Sequence, residues 1–142
     1  MMTRDDILAL IERRAAALAA RDPVAMAATH AADGIVLSPT GGVLEGRAEI
    51  EAVYGLYFSA FPDMVMHQED LLIDGDRVVL IARLHGTHAR EFFGLAPTGR
   101  HVEVQAAIVM RVAGGVVVEE RRIYDFTGML VKLGVLKAKP SA

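Results

Sequence analysis

The chain opens on a helical period. Ile7, Leu10, Ile11, Ala15 and Leu18 recur at steps of three and four, with mostly polar or small residues between them. That spacing predicts an amphipathic helix over residues 4–20. Thr3 followed by Asp6 supplies a capping-box start, with Asp in place of the usual Glu. Asp22-Pro23 restarts the chain, because Asp caps a helix and Pro suits its first position. A short second helix then runs to about Asp33-Gly34. Ile35 to Ser38 predicts a short strand, and Pro39-Thr40-Gly41-Gly42 a turn. Residues 47–60 predict a third helix, stopped by Phe61-Pro62-Asp63.

From residue 64 the period changes to that of strands, predicted over residues 64–73, 77–88, 101–112 and 116–125. Asp74-Gly75-Asp76 and Gly114-Gly115 mark hairpin turns, and Gly94 to Gly99 a loop. A closing helix is expected over residues 127–135 and a loose tail over 137–142. Helices first and consecutive strands after indicate an α+β class. Long antiparallel strands twist and curl. The predicted fold is therefore a curved antiparallel sheet forming a cone-like barrel, with the N-terminal helices packed on its concave face. One domain over residues 1–142 is expected. Such a hollow is where a small ligand would sit.

Composition narrows the function classes. The chain is 53% hydrophobic and 23% charged, which argues against disorder. The net charge of -3 and the lack of a basic tract argue against nucleic acid. No Cys is present, so disulfides, thiolate catalysis and Cys-ligated zinc are excluded. No apolar run reaches the roughly 20 residues needed to cross a bilayer, and the N-terminus shows no signal-peptide pattern. A cytoplasmic protein that does not engage a membrane is expected.

The stretch from Gly86-Thr87-His88 through Phe92-Phe93-Gly94 to Pro97-Thr98-Gly99-Arg100 resembles the motif of the SnoaL-like polyketide cyclases, in the nuclear-transport-factor-two-like superfamily, with Arg90 in place of its second Gly. Ile73 to Val79 resembles that family's hairpin, and Leu44-Glu45-Gly46-Arg47 also fits it. Gly114 to Glu120, Asp125 and Leu130 to Gly134 resemble its last strand and closing helix. The resemblance spans roughly residues 5–135 and implies a cone-shaped α+β fold. It also implies a cofactor-independent reaction on a small apolar or aromatic oxygenated molecule, and a homodimer. Since the superfamily also holds non-catalytic members, function must be argued from the site.

By that resemblance Asp125 matches the acid/base aspartate of the cyclases. In a strand, Asp125 shares a face with Ile123, Arg121, Glu119 and Val117. A carboxyl in an apolar hollow holds its proton more tightly, which suits proton transfer in an aldol closure. The alternative is that Asp125 caps the closing helix. Arg121 stands where the family has Trp; it would neutralise an acidic ligand, or sit at the surface. His30, His67, His85, His88 and His101 show no helical i, i+4 metal spacing. His88 is expected to hold the following loop or to enter the site, and His67 could face the pocket. Tyr54 and Tyr57 fall on one stripe of the third helix with Phe58 and Phe61, as core or as pocket lining. The first and penultimate strands lack the family's polar residues, leaving Ser38 and Gln105 as substitutes. The expected function is acid/base catalysis through Asp125. The alternatives are ligand binding without chemistry and an accessory dimerisation module acting through the sheet face.

Overall fold

A computed structural model of the chain describes residues 1–137. It begins with α1 (Arg4–Ala19), whose capping box is complete. Thr3 Oγ1 accepts from the Asp6 backbone N–H at 3.1 Å, and Asp6 Oδ2 accepts from the Thr3 N–H at 2.8 Å. Such caps stabilise a helix by about 1 kcal/mol. Asp22 caps α2 (Pro23–Ala28) as expected, but that helix is short. The residues read as its second half, His30 onward, belong to β1 (His30–Ser38). The Ala-rich sequence favours a helix locally. Pairing overrides it: β1 lies parallel to β6 (Val116–Tyr124), with a register shift between His30 and Ile35.

A short β2 (Gly42–Glu45), which the sequence reading missed, returns along β1. Next come α3 (Arg47–Ala60), β3 (Val65–Asp74), β4 (Arg77–Thr87), β5 (His101–Ala113), β6 and α4 (Phe126–Lys132). The six strands form one curved sheet in the order β2-β1-β6-β5-β4-β3. The α+β class and the curved sheet with helices packed against it match the expectation, while the sheet is mixed rather than wholly antiparallel and is not closed. The cause is the β1–β6 parallel pair, a contact between distant parts of the chain that hairpin turns do not announce. Residues 138–142, most of the expected tail, lie outside the described residues. Among the described residues no helix is long and apolar enough to cross a membrane.

Three buried clusters meet on the helix-covered face. Ile7, Leu10 and Ile11 of α1 pack on Leu80, Ile108 and Met110 of the sheet. Leu18, Met26, Val36, Ile50, Tyr54 and Phe58 join the three N-terminal helices to β1. Phe61, Phe92, Val102, Met129 and Leu133 close the far end. Each large apolar side chain buried in this way contributes about 1.5–3 kcal/mol. Gly86 shows why the chain approaches so closely there. A Cβ at that position would lie 3.3 Å from both Phe61 Cβ and Asp63 Oδ1.

Candidate functional site

Where the three clusters meet, the packing leaves a cavity of about 120 Å³. Its wall is mostly apolar: Leu18, Phe61, Met64, Leu84, Phe92 and Ile108 contribute. The polar residues of the wall are two arginines, Arg14 and Arg122, three tyrosines, Tyr54, Tyr57 and Tyr124, and His85 of the sheet. These come from α1, α3, β4 and β6, elements that are far apart in sequence.

Behind the wall lies a buried ion cluster. Glu120 is fully buried. Its Oε1 accepts from Arg14 Nη1 at 2.7 Å, and its Oε2 from Arg122 Nε at 2.6 Å. His30 Nε2 lies 3.2 Å from Oε1. Arg122 Nη2 donates to the Tyr54 hydroxyl at 2.7 Å, and its guanidinium carbon sits 4.8 Å from the Tyr54 ring centroid. Burial opposes the Glu120 charge, but Arg14 and then Arg122 outweigh it and hold the carboxyl well below the usual range. Burial likewise opposes the Arg122 charge; Tyr54 and Glu120 overcome it and raise that group. The Tyr54 phenol is pushed up, chiefly by burial.

At the other side of the cavity, the Tyr57 hydroxyl lies 3.4 Å from Ser38 Oγ. The Tyr124 hydroxyl bonds Thr40 Oγ1. Burial first, and the neighbouring Tyr57 second, push the Tyr124 phenol up to about 12. Among the described residues, no group of three or more His, Asp or Glu side chains gathers as a metal site.

Of the residues expected at a site, the structure brings Tyr54 and Tyr57 to the cavity, with Ser38 bonded behind Tyr57. It does not bring Asp125 there. Asp125 is exposed and caps α4, its Oδ1 accepting from the Gly128 N–H at 2.8 Å. Arg121 is exposed as well. It does share a face with Ile123, but that face is the outer one. The cause is a register shift opposite Arg111 and Val112, after which Glu120, Arg122 and Tyr124 turn inward. Gln105 is exposed and bonds Glu69, so it does not line the cavity. His67 is exposed and is not among the lining residues, although its neighbour Met66 lines the wall and its ring stacks at 5.3 Å on His85, which also lines it. His88 is buried and holds the following loop. Its Nδ1 accepts from the Thr98 N–H at 3.3 Å, and its ring lies 5.5 Å from Phe61.

Sequence reasoning missed Arg14, Glu120, Arg122, Tyr124 and His30. Arg14 carried a signal, for it falls on the apolar stripe of α1 between Ile11 and Leu18. Glu120 and Arg122 carried none. The doublets Glu119-Glu120 and Arg121-Arg122 offer the same pair of charges to either face, so alternation is silent about which pair turns inward.

The sequence profile of the family described as SnoaL-like polyketide cyclase matches residues 9–133. Among solved structures, the chain is similar to AclR from Streptomyces galilaeus, a candidate hydroxylase. The two are 26% identical with a TM-score of 0.83, over 97% of this chain and 91% of that one. It is also similar to IdmH from Streptomyces antibioticus, a candidate polyketide cyclase. There the identity is 30% and the TM-score 0.74, over 89% of this chain and 96% of that one. A Catenulispora acidiphila protein with a ketosteroid isomerase-like fold, 20% identical, shares the fold with a TM-score of 0.76 over 89% and 93% of the two chains. Among curated proteins no sequence relative matches.

Proposed function

Because the chain belongs to the SnoaL-like polyketide cyclase family, we propose that its cavity binds a small apolar oxygenated molecule and moves protons on it with tyrosine hydroxyls. The observation that carries this reading is the composition of the wall: three phenols, two guanidiniums and His85 in a hollow that is apolar elsewhere. Fixed positive charge in a low-dielectric site stabilises negative charge that develops on a substrate oxygen. Arg14 and Arg122 suit an enolate oxygen in that way. Tyr57 and Tyr124 suit the proton traffic.

In an aldol closure the enolate carbon forms the new C–C bond and the enolate oxygen becomes a carbonyl. The attacked carbonyl oxygen takes the proton that Tyr124 or Tyr57 gives up. The tyrosinate then recovers a proton from the acidic carbon of the next substrate. Glu120 does not act on the substrate in this scheme, because its oxygens are engaged by Arg14, Arg122 and His30. It positions the two arginines. Two copies pair through the outer face of the sheet, where Ile35 and Ile123 stand exposed.

Acetylacetone, an enolisable diketone small enough for a cavity of about 120 Å³, tests the reading. The wild-type protein is expected to speed deuterium exchange at its acidic carbon, followed by NMR in heavy water. Tyr124→Phe and Tyr57→Phe are expected to lower that rate roughly a hundredfold while the fold is retained. Exchange no faster than in buffer would overturn the enzymatic reading. One observation favours the second reading, a binding domain without chemistry: no carboxylate is found among the residues that line the cavity. On that reading a ligand raises the melting temperature by mass action but is returned unchanged.

A further inference from the structure

The charges around the cavity do not cancel. Two guanidiniums face it, and a single carboxylate, Glu120, stands against both. His30, the other titratable side chain on Glu120, adds no negative charge. The cluster therefore holds a surplus of at least one positive charge, in a place where Arg14 is 2% and Arg122 9% exposed. A buried charge without a counter-charge is costly in a low-dielectric interior.

The hydrogen bonds point the same way. A guanidinium has five N–H donors. Glu120 engages only Nη1 of Arg14 and Nε of Arg122. Tyr54 takes Nη2 of Arg122 at 2.7 Å and Nη2 of Arg14 only at 3.5 Å. Arg14 Nε is buried and finds no acceptor among the described residues. The site is thus short of both one negative charge and acceptor oxygens.

We propose that the cavity's ligand carries an anionic oxygen group, a carboxylate or an equally acidic enol, which docks on Arg14 and Arg122 while its apolar ring lies against Phe61, Met64 and Phe92. A carboxylate matches the guanidinium fork, and such charge-assisted bonds are about twice as strong as neutral ones. The ring requirement follows from the rest of the wall. A cavity of about 120 Å³, a little smaller than the roughly 150 Å³ of an apolar cavity that takes benzene, leaves room for no more than one ring. This inference rests on the cavity's being the ligand site, and it adds the charge of the ligand to that reading.

Benzoate and benzamide form the test pair, since they share shape and differ in charge; toluene serves as the purely apolar control. Binding is measured on the wild-type chain by calorimetry and by the shift in melting temperature. Benzoate is expected to bind at least tenfold tighter than benzamide. Arg14→Gln, which leaves Glu120 paired with Arg122 and His30, is expected to abolish that preference while toluene binding persists. Benzamide binding as tightly as benzoate would overturn the anionic inference and leave the cavity reading standing. So would toluene binding in the absence of benzoate binding, or an Arg14→Gln protein that folds and keeps the preference. If none of the three probes binds, the cavity reading falls and this inference with it. The wild-type comparison decides the matter even if the variant does not fold.

Discussion

Glu120 is the residue on which the interior electrostatics turn. Its carboxylate sits between two arginines and a histidine with no exposure to water. Removing one member of such a cluster leaves an uncompensated buried charge, at a cost of about 3–5 kcal/mol. Glu120→Ala is expected to lose that amount in urea unfolding. A pH dependence follows from the same group, whose folded value is depressed. As the pH falls through the ordinary glutamate value of 4.5, the unfolded chain takes up a proton that the folded one still refuses. Stability conferred by Glu120 is therefore fully present above that pH and is lost progressively below it. The melting temperature of the wild type should fall through this acid range more steeply than that of Glu120→Gln.

At the scale of elements, α4 and β6 decide the role of the aspartate that the family resemblance brings forward. The last strand ends at Tyr124, and Asp125 spends its carboxylate on the N–H of Gly128 at the start of the helix. Asp125→Ala is expected to cost about 0.5–2 kcal/mol in stability through loss of the cap. Its effect on exchange of acetylacetone, or on ligand affinity, should stay within twofold. A large loss of either function in a protein of near-normal melting temperature would return Asp125 to the site. The neighbouring β6 residues behave differently for a geometric reason: one register shift relative to β5 sets which members of the charged doublets face the core.

For the whole molecule, among the described residues, the helices cover one face of an open six-stranded sheet and leave the other face free of them. Ile123 is 53% exposed and Ile35 39% exposed on the uncovered side, amid Arg121, Arg111 and Glu119. A twofold pairing of the sheets would bury them. Light scattering of the wild type should give twice the chain mass, and Ile123→Glu should reduce it to that of one chain. A monomeric wild type would remove the dimer proposal and leave the cavity untouched.

The elements with local causes were legible in the chain. Thr3 and Asp6 cap α1, α3 occupies the residues its apolar stripe marks, and Asp-Gly and Gly-Gly turns fix the β3–β4 and β5–β6 hairpins. The Gly-Thr-His motif gave the family and the loop-holding part of His88. Of the candidate site, Tyr54, Tyr57 and Phe61 were legible, because they share the α3 stripe. Its charged half was decided by tertiary structure. Arg14, Glu120 and Arg122 meet only because α1 packs on the same face of the sheet to which β6 turns Glu120 and Arg122, and these two face inward only because the strand slips by one position. Alternation along a strand tells which residues share a face; where both faces carry the same charges, only the packing partner selects which of them is buried.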